Sequence, residues 1–195
     1  MDASILIEHL QTLALAIALA ACAGLRACLP LFLAGVLARF GWLDLGQAFV
    51  FLKSDKALLI FGVATFLEFL GDKIPAVDHA LDVIGTPLRP AAGALLAASV
   101  IGVSTDPLTA LVLGTVVGAP TALVPHAVKS SLRAASTLFT AGLANPLISL
   151  LEDVITVALF ALAVLVPVFV VLLVVLAGGW LGRRLRARPP SVKPA

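Results

Sequence analysis

Long apolar runs separated by short polar punctuation set the pattern of this chain. The first run, about Ile5 to Ala23, is long enough to cross a bilayer at roughly 1.5 Å per residue. Glu8 and His9, near its start, fall at the interface. The second run, about Cys28 to Trp42, is short and has Pro30 near its beginning. It fits a tilted, short or re-entrant helix as well as a full crossing, with Trp42 placed to anchor its end at the headgroups. A polar connection follows (Asp44, Gln47, Lys53, Ser54, Asp55, Lys56), interrupted by Phe49-Val50-Phe51-Leu52, which reads as an interfacial patch. The third run, Ala57 to Gly71, ends in the densest polar sequence of the chain, Glu68-Phe69-Leu70-Gly71-Asp72-Lys73-Ile74-Pro75, with Asp78, His79 and Asp82 beyond it. The fourth, about Ala91 to Val103, is rich in alanine and glycine, which let helices approach closely in lipid. Asp106-Pro107 reads as a cap and first helical turn. It opens a fifth run, Leu108 to about Val124, interrupted by Gly118, Pro120 and Pro125. Asn145-Pro146 breaks the chain. The last helix carries Glu152-Asp153 at its start and runs apolar from Val154 to Ala177, with Pro167 as its kink point.

Two stretches share a phrase. Leu25-Arg26-Ala27, Leu31-Phe32 and Ala34-Gly35 recur as Leu132-Arg133-Ala134, Leu138-Phe139 and Ala141-Gly142, at a constant offset of 107 residues. Seven of the twelve positions from Gly24 to Gly35 are identical. This points to two related halves, near residues 5–85 and 107–165, with a site where they meet. The shortness of the second run and Pro30 favour an inverted relation between them. Beyond the phrase, Leu67-Glu68 pairs best with Leu151-Glu152, at the cost of an insertion in the first half.

Composition settles the class. Hydrophobic residues make up 61% of 195 and charged residues 12%, with a mean hydropathy of +1.14. That is too little charge to coat a soluble domain, which carries about 25%. The expected fold is an all-α polytopic membrane helix bundle of about five to seven segments. It forms one integral membrane domain over residues 1–182, followed by a basic tail, 183–195. Arg183, Arg184, Arg186, Arg188 and Lys193 crowd that tail and place the C-terminus on the cytoplasmic side. Topology explains them without nucleic acid. Cys22 and Cys28 have no CxxC spacing and read as small core residues. Leu19-Ala20-Ala21-Cys22 resembles a lipoprotein cleavage box, but the segment before it has Asp2 and Glu8 and no lysine or arginine, so it reads as a retained helix.

The candidate chemistry lies in charges set among apolar residues. Arg26 and Arg133 read either as cations from the two halves converging on an anionic group or on carboxylates, or as helix-end arginines reaching the headgroups. Glu68, Asp72 and Lys73 flank Gly71, which permits an unwound turn. An unwound turn there would set backbone carbonyls beside carboxylates that bind a hard cation or pass protons. A loop salt bridge between Asp72 and Lys73 is the plainer reading. Asp78, with His79 and Asp82, has a loose metal-ligand look that an ordinary acidic first turn also explains. Glu152 reads as a helix-start acid or as the counterpart of Glu68. His9 and His126 read as structural. No nucleophile elbow, P-loop or His-Glu-x-x-His motif is present, so no enzyme and no cofactor are expected.

Ala23-Gly24-Leu25-Arg26-Ala27 with Leu29-Pro30-Leu31 resembles the opening signature of a bacterial membrane family catalogued as domain of unknown function 4126. Glu68 to Pro75 with Asp78, His79 and Asp82 resembles its second signature, and Thr86, Arg89-Pro90 and Ala92-Gly93-Ala94 its third. The resemblance implies a bacterial polytopic membrane protein and carries no catalytic residue across. A looser similarity is to proton-coupled manganese or calcium exchangers with Glu-x-Gly-Asp in each of two inverted repeats. Here the glutamate stands one residue too far from Gly71-Asp72, and the second half has no glycine beside Glu152-Asp153. The expected function is transport of a small ion or solute at a charged site between the repeats, near the bilayer midplane. Arg26, Glu68, Asp72, Lys73, Asp78, Arg133 and Glu152 form that site, in an inner-membrane protein, with membrane lipid and a second copy of the chain as partners. A non-transporting scaffold or lipid-interacting protein is the alternative, and an intramembrane enzyme acting on a lipid is a third.

Overall fold

A computed structural model describes the backbone of residues 3–71 and 75–186 and the side chains of 3–71 and 84–165. The described chain is helical throughout: α1 (Ala3–Leu25), α2 (Cys28–Arg39), a 3-10 helix (Gln47–Lys53), α3 (Asp55–Gly71), α4 (Pro75–Ile101), α5 (Pro107–Thr140) and α6 (Asn145–Arg186). Among the described residues four segments are long and apolar enough to cross a membrane, namely Ala3–Leu25, Ile84–Ile101, Pro107–Thr140 and Asn145–Leu165. Leu59, Leu108, Val116, Val124 and Val154 turn large apolar side chains outward, the surface a lipid solvent favours.

Pro30 explains why α1 and α2 are two helices. In a continuous helix its ring would strike the carbonyl of Arg26, and it has no N–H to donate there. The chain therefore breaks at Arg26-Ala27 and restarts, leaving Pro30 in the first turn of α2, where a missing donor costs nothing. α2 ends in a Schellman motif, with the Trp42 amide donating to the Leu37 carbonyl at 2.9 Å and the Gly41 amide to Ala38 at 3.3 Å. Gly41 adopts φ +74°, the left-handed conformation this ending needs.

Other prolines are absorbed. α4 begins at Pro75, not near Ala91, and runs through Pro87 and Pro90, while α5 runs unbroken through Pro120 and Pro125. Membrane helices tolerate such residues where neighbouring helices pack around them. The second copy of the phrase thus lies on the same helix as the fifth apolar run. The interfacial patch folds as the 3-10 helix, with Phe49 and Leu52 buried and Val50 and Phe51 exposed.

α1, α4 and α5 form the centre of the bundle. α6 packs on α1, while α2 and α3 pack mainly on each other. Glycine and alanine build the central contact. A Cβ on Gly118 would stand 2.4 Å from the Gly93 carbonyl oxygen, and one on Gly24 would stand 2.1 Å from that of Ala122. Backbones meet directly at these crossings, as small-residue stripes allow.

A charged cluster at the break between α1 and α2

The buried residues of α5 trace one stripe: Ala110, Gly114, Gly118, Ala122, His126, Lys129, Arg133 and Ser136. Its first half is small and packs helices. Its second half is polar. The buried face of α6 runs the other way, from Asn145, Ser149, Glu152 and Thr156 to Phe160 and Ala163. The helices are antiparallel, so the two polar halves face one another across the C-terminal end of α1.

There the break in the chain is clamped from both sides. Leu25 ends α1, and Lys129 Nζ donates to its carbonyl at 3.4 Å. This places a cation on the negative end of the helix dipole. Ala27 and Cys28 begin α2, and their amides donate to Glu68 Oε1 and Oε2 at 3.3 and 3.2 Å. A carboxylate thus covers the positive end of the second helix. Between them Arg26, 2% exposed, sends Nη2 to Asp153 Oδ1 at 2.6 Å and to Ser149 Oγ at 3.0 Å. Beside Asp153, Glu152 Oε2 takes Lys129 Nζ at 2.9 Å and Arg133 Nη2 at 3.1 Å.

Arg26, Glu68, Arg133 and Glu152, all expected at the site from the sequence, therefore converge on one level of the bundle. The structure distributes their roles in detail. Arg26 meets Asp153, Arg133 meets Glu152, and Glu68 binds backbone amides. Glu152 and Asp153 lie two turns inside α6, so they serve as buried counter-ions and not as helix-start acids. Arg26 does not reach outward to headgroups. The level of the cluster is that of the end of α1, not of its middle. Asp72 and Lys73, and the side chains of Asp78, His79 and Asp82, lie outside the described residues. Among the described residues no three His, Cys, Asp or Glu side chains come together as metal ligands.

Three participants were not singled out for this site in the sequence: Lys129, Ser149 and Asp153. The signal was present for Lys129, since His126, Lys129 and Arg133 continue, at steps of three and four residues, the stripe set by Gly114, Gly118 and Ala122. A second polar contact joins α4 to α5. Arg89 Nη1 lies 2.6 Å from His126 Nδ1, and Thr86 Oγ1 lies 3.4 Å from Nε2. A guanidinium can only donate, so Nδ1 accepts and the ring proton is assigned to Nε2. His126 thus ties α4 to α5. Cys22 and Cys28 are buried free thiols.

A cavity of about 320 Å³ reaches the cluster from the side, between α2, α3 and α6. Arg26 and Asp153 form its inner end. Leu29, Phe32, Gly62, Thr65, Phe66 and Phe69 form its walls. The Lys129–Glu152–Arg133 group does not line it.

The two copies of the phrase differ locally. The first spans the break and α2, while the second lies within α5 until Thr140. They start from one level and run apart. α2 leads back toward Gly46, whose amide donates to the Ser99 carbonyl at the end of α4 at 2.8 Å, whereas α5 continues away from that end.

No curated protein and no solved structure matches the chain. The family model described as Domain of unknown function (DUF4126) matches residues 13–186, nearly the whole bundle including the clamped break and both arginines, and the chain belongs to that family.

Proposed function

We propose that this integral membrane protein carries a small anionic solute, with Arg26 as its ligand at the break between α1 and α2. One observation carries the reading. The chain turns back between α1 and α2 inside the bundle, both helix ends at the turn are covered by charged side chains, and the arginine between them faces a cavity. Helix ends carrying charged groups beside a cavity are how membrane carriers build solute sites. Ionised side chains buried among apolar helices are costly, and are kept where something polar is handled.

The packing supplies a route to movement. α2 and α3 pair closely with each other and touch the remaining helices sparsely. They can shift as a unit while Lys129, Arg133 and Glu152 hold α1, α5 and α6. Glu68, on α3, holds the start of α2, so the clamp travels with the unit. By its basic residues the C-terminal tail belongs on the cytoplasmic side of a bacterial inner membrane.

A second reading has its own support. The Lys129–Glu152–Arg133 group is closed, which suits a scaffold whose buried charges only join helices. Purified protein in liposomes separates the two. Uptake of radiolabelled monocarboxylates and of chloride is measured for wild type, Arg26→Ala and Glu68→Gln. The carrier reading expects wild-type uptake well above empty liposomes, at least a tenfold loss in Arg26→Ala, and a smaller loss in Glu68→Gln. Equal rates in all three proteins and in empty liposomes leave the scaffold.

A further inference from the structure

The cavity at Arg26 is unlike a water-filled pore. Leu29, Phe32, Phe66 and Phe69 make its walls apolar, the Thr65 hydroxyl donates to the Phe61 carbonyl of its own helix at 2.7 Å, and the charged groups are confined to the inner end. Its outer side continues into the outward face of α3, where Val63, Phe66, Leu67 and Leu70 are exposed. A ligand reaching Arg26 this way comes from the lipid and brings an apolar body with it. Its charged end meets the Arg26 guanidinium, whose planar fork matches a carboxylate. The volume is that of an ordinary small-ligand pocket.

We infer that the site takes a long-chain carboxylic acid from the bilayer, with the chain along α2 and α3 and the carboxylate on Arg26. This rests on the anionic-solute reading and names the solute class. The exchange balances without any further reactant. The acid arrives protonated, the form that partitions into lipid. Its carboxylate replaces Asp153 on Arg26 Nη2, and its proton passes to the carboxylate of Asp153. Asp153 is the more exposed member of the pair, at 18% against 3% for the arginine side chain, so the incoming head reaches it first. Among the described residues, the groups near the pair are Ser149 on α6 and, beside the break, Glu68 on α3 and Lys129 on α5.

Photolabelling tests this on the full chain in detergent. A palmitic acid analogue with a mid-chain diazirine is bound and irradiated, and the labelled peptides are identified. Labelling is expected on residues 28–39 and 55–71, reduced at least tenfold by excess palmitate and little affected by equal hexadecanol, acetate or inorganic phosphate. Gly62→Leu fills the cavity from α3 without touching a charge; its Cβ first meets the Phe32 ring at 3.3 Å. It should lower labelling at least tenfold at an unchanged unfolding temperature. Asp153→Asn removes the competing carboxylate, so palmitate should compete at severalfold lower concentration. Label spread evenly over all helices, or hexadecanol competing as well as palmitate, overturns the carboxylate site. Phosphate or acetate competing as well as palmitate overturns the chain-binding part. Liposome uptake of short acids with no site-specific labelling would sink this inference and leave the carrier reading standing; site-specific labelling without uptake would do the reverse.

Discussion

Lys129 has the most exacting position of any residue in the chain. Its side chain is fully buried, and its ammonium is held between the Glu152 carboxylate and the last carbonyl of α1. A buried pair of this kind contributes little net stability when intact, but removing one partner leaves an ion stranded. Glu152→Gln removes the carboxylate that Lys129 and Arg133 share. We expect it to destabilise the protein by about 3–5 kcal/mol, measured by denaturant unfolding in mixed micelles. Adding Lys129→Met should recover part of that loss, because one stranded charge is then gone. The exposed pair of Arg39 with Asp55 is the counterexample. Solvent screens it and its side chains are free to move, so Arg39→Ala should cost less than about 1 kcal/mol in the same assay. The contrast identifies burial, not the presence of an ion pair, as the source of sensitivity.

The helices were readable from the sequence where apolar periodicity was the main signal, and misjudged where proline was given one meaning. Pro30 ends a helix because a restart is possible one turn earlier. Pro87, Pro90, Pro120 and Pro125 sit in long apolar runs with packing on their flanks, so the helix continues. The same continuity hid part of the site. Arg133 drew notice as half of a repeated phrase, but Lys129 becomes visible only once α5 is one helix and its buried stripe is followed to the end. Asp153 needed the antiparallel pairing of α5 with α6, which no local pattern encodes. Two predictions belong at this scale. Gly118→Val forces a side chain into the Gly93 backbone and should cost roughly 1–3 kcal/mol or more, while Gly41→Ala, in open space, should cost about 1 kcal/mol through its left-handed backbone alone. Asp106 caps α5, and hydrogen bonds to Thr109 and Leu108 hold its carboxyl below its ordinary value. A lowered folded value means the cap is in place above about pH 4 and is lost as pH falls through that lowered value. Protection of the amides in the first turn of α5, taken relative to the intrinsic exchange rate at each pH, should therefore fall on acidification, and be low at every pH in Asp106→Ala.

At the scale of the whole molecule, contacts between distant residues give each helix a direction. His9, Thr12 and Leu13 of α1 border one cavity with Ile101, Ser104 and Thr105, so the start of α1 and the α4–α5 turn lie at one end. Gly46 reaches the end of α4, which brings the α2–α3 connection to that end as well. The charged cluster, with Glu68, Lys129 and Glu152, marks the other level. The chain therefore traverses the bundle six times within the described residues, the second and third by α2 and α3, of 12 and 17 residues. Those two are short for a hydrocarbon layer that asks for about 20. An even number of traverses puts the start of α1 and the far end of α6 on one side, which is the cytoplasmic side in the topology proposed from the arginine-rich tail. Single cysteines in a Cys22→Ala, Cys28→Ala background test the path. Positions 53 and 104 should react with a membrane-impermeant maleimide only in inside-out vesicles, and position 143, in the α5–α6 turn, only in right-side-out ones. Position 53 carries the most information, because it lies between the two short helices. If α2 and α3 entered from the side of the cluster and turned back without crossing, a probe at 53 would pair with 143. Labelling of 53 together with 104 requires that the short pair reach across, which in a layer of normal thickness requires the membrane to thin around α2 and α3. That thinning would lie at the face where the cavity opens, and there it would shorten the path from lipid to Arg26.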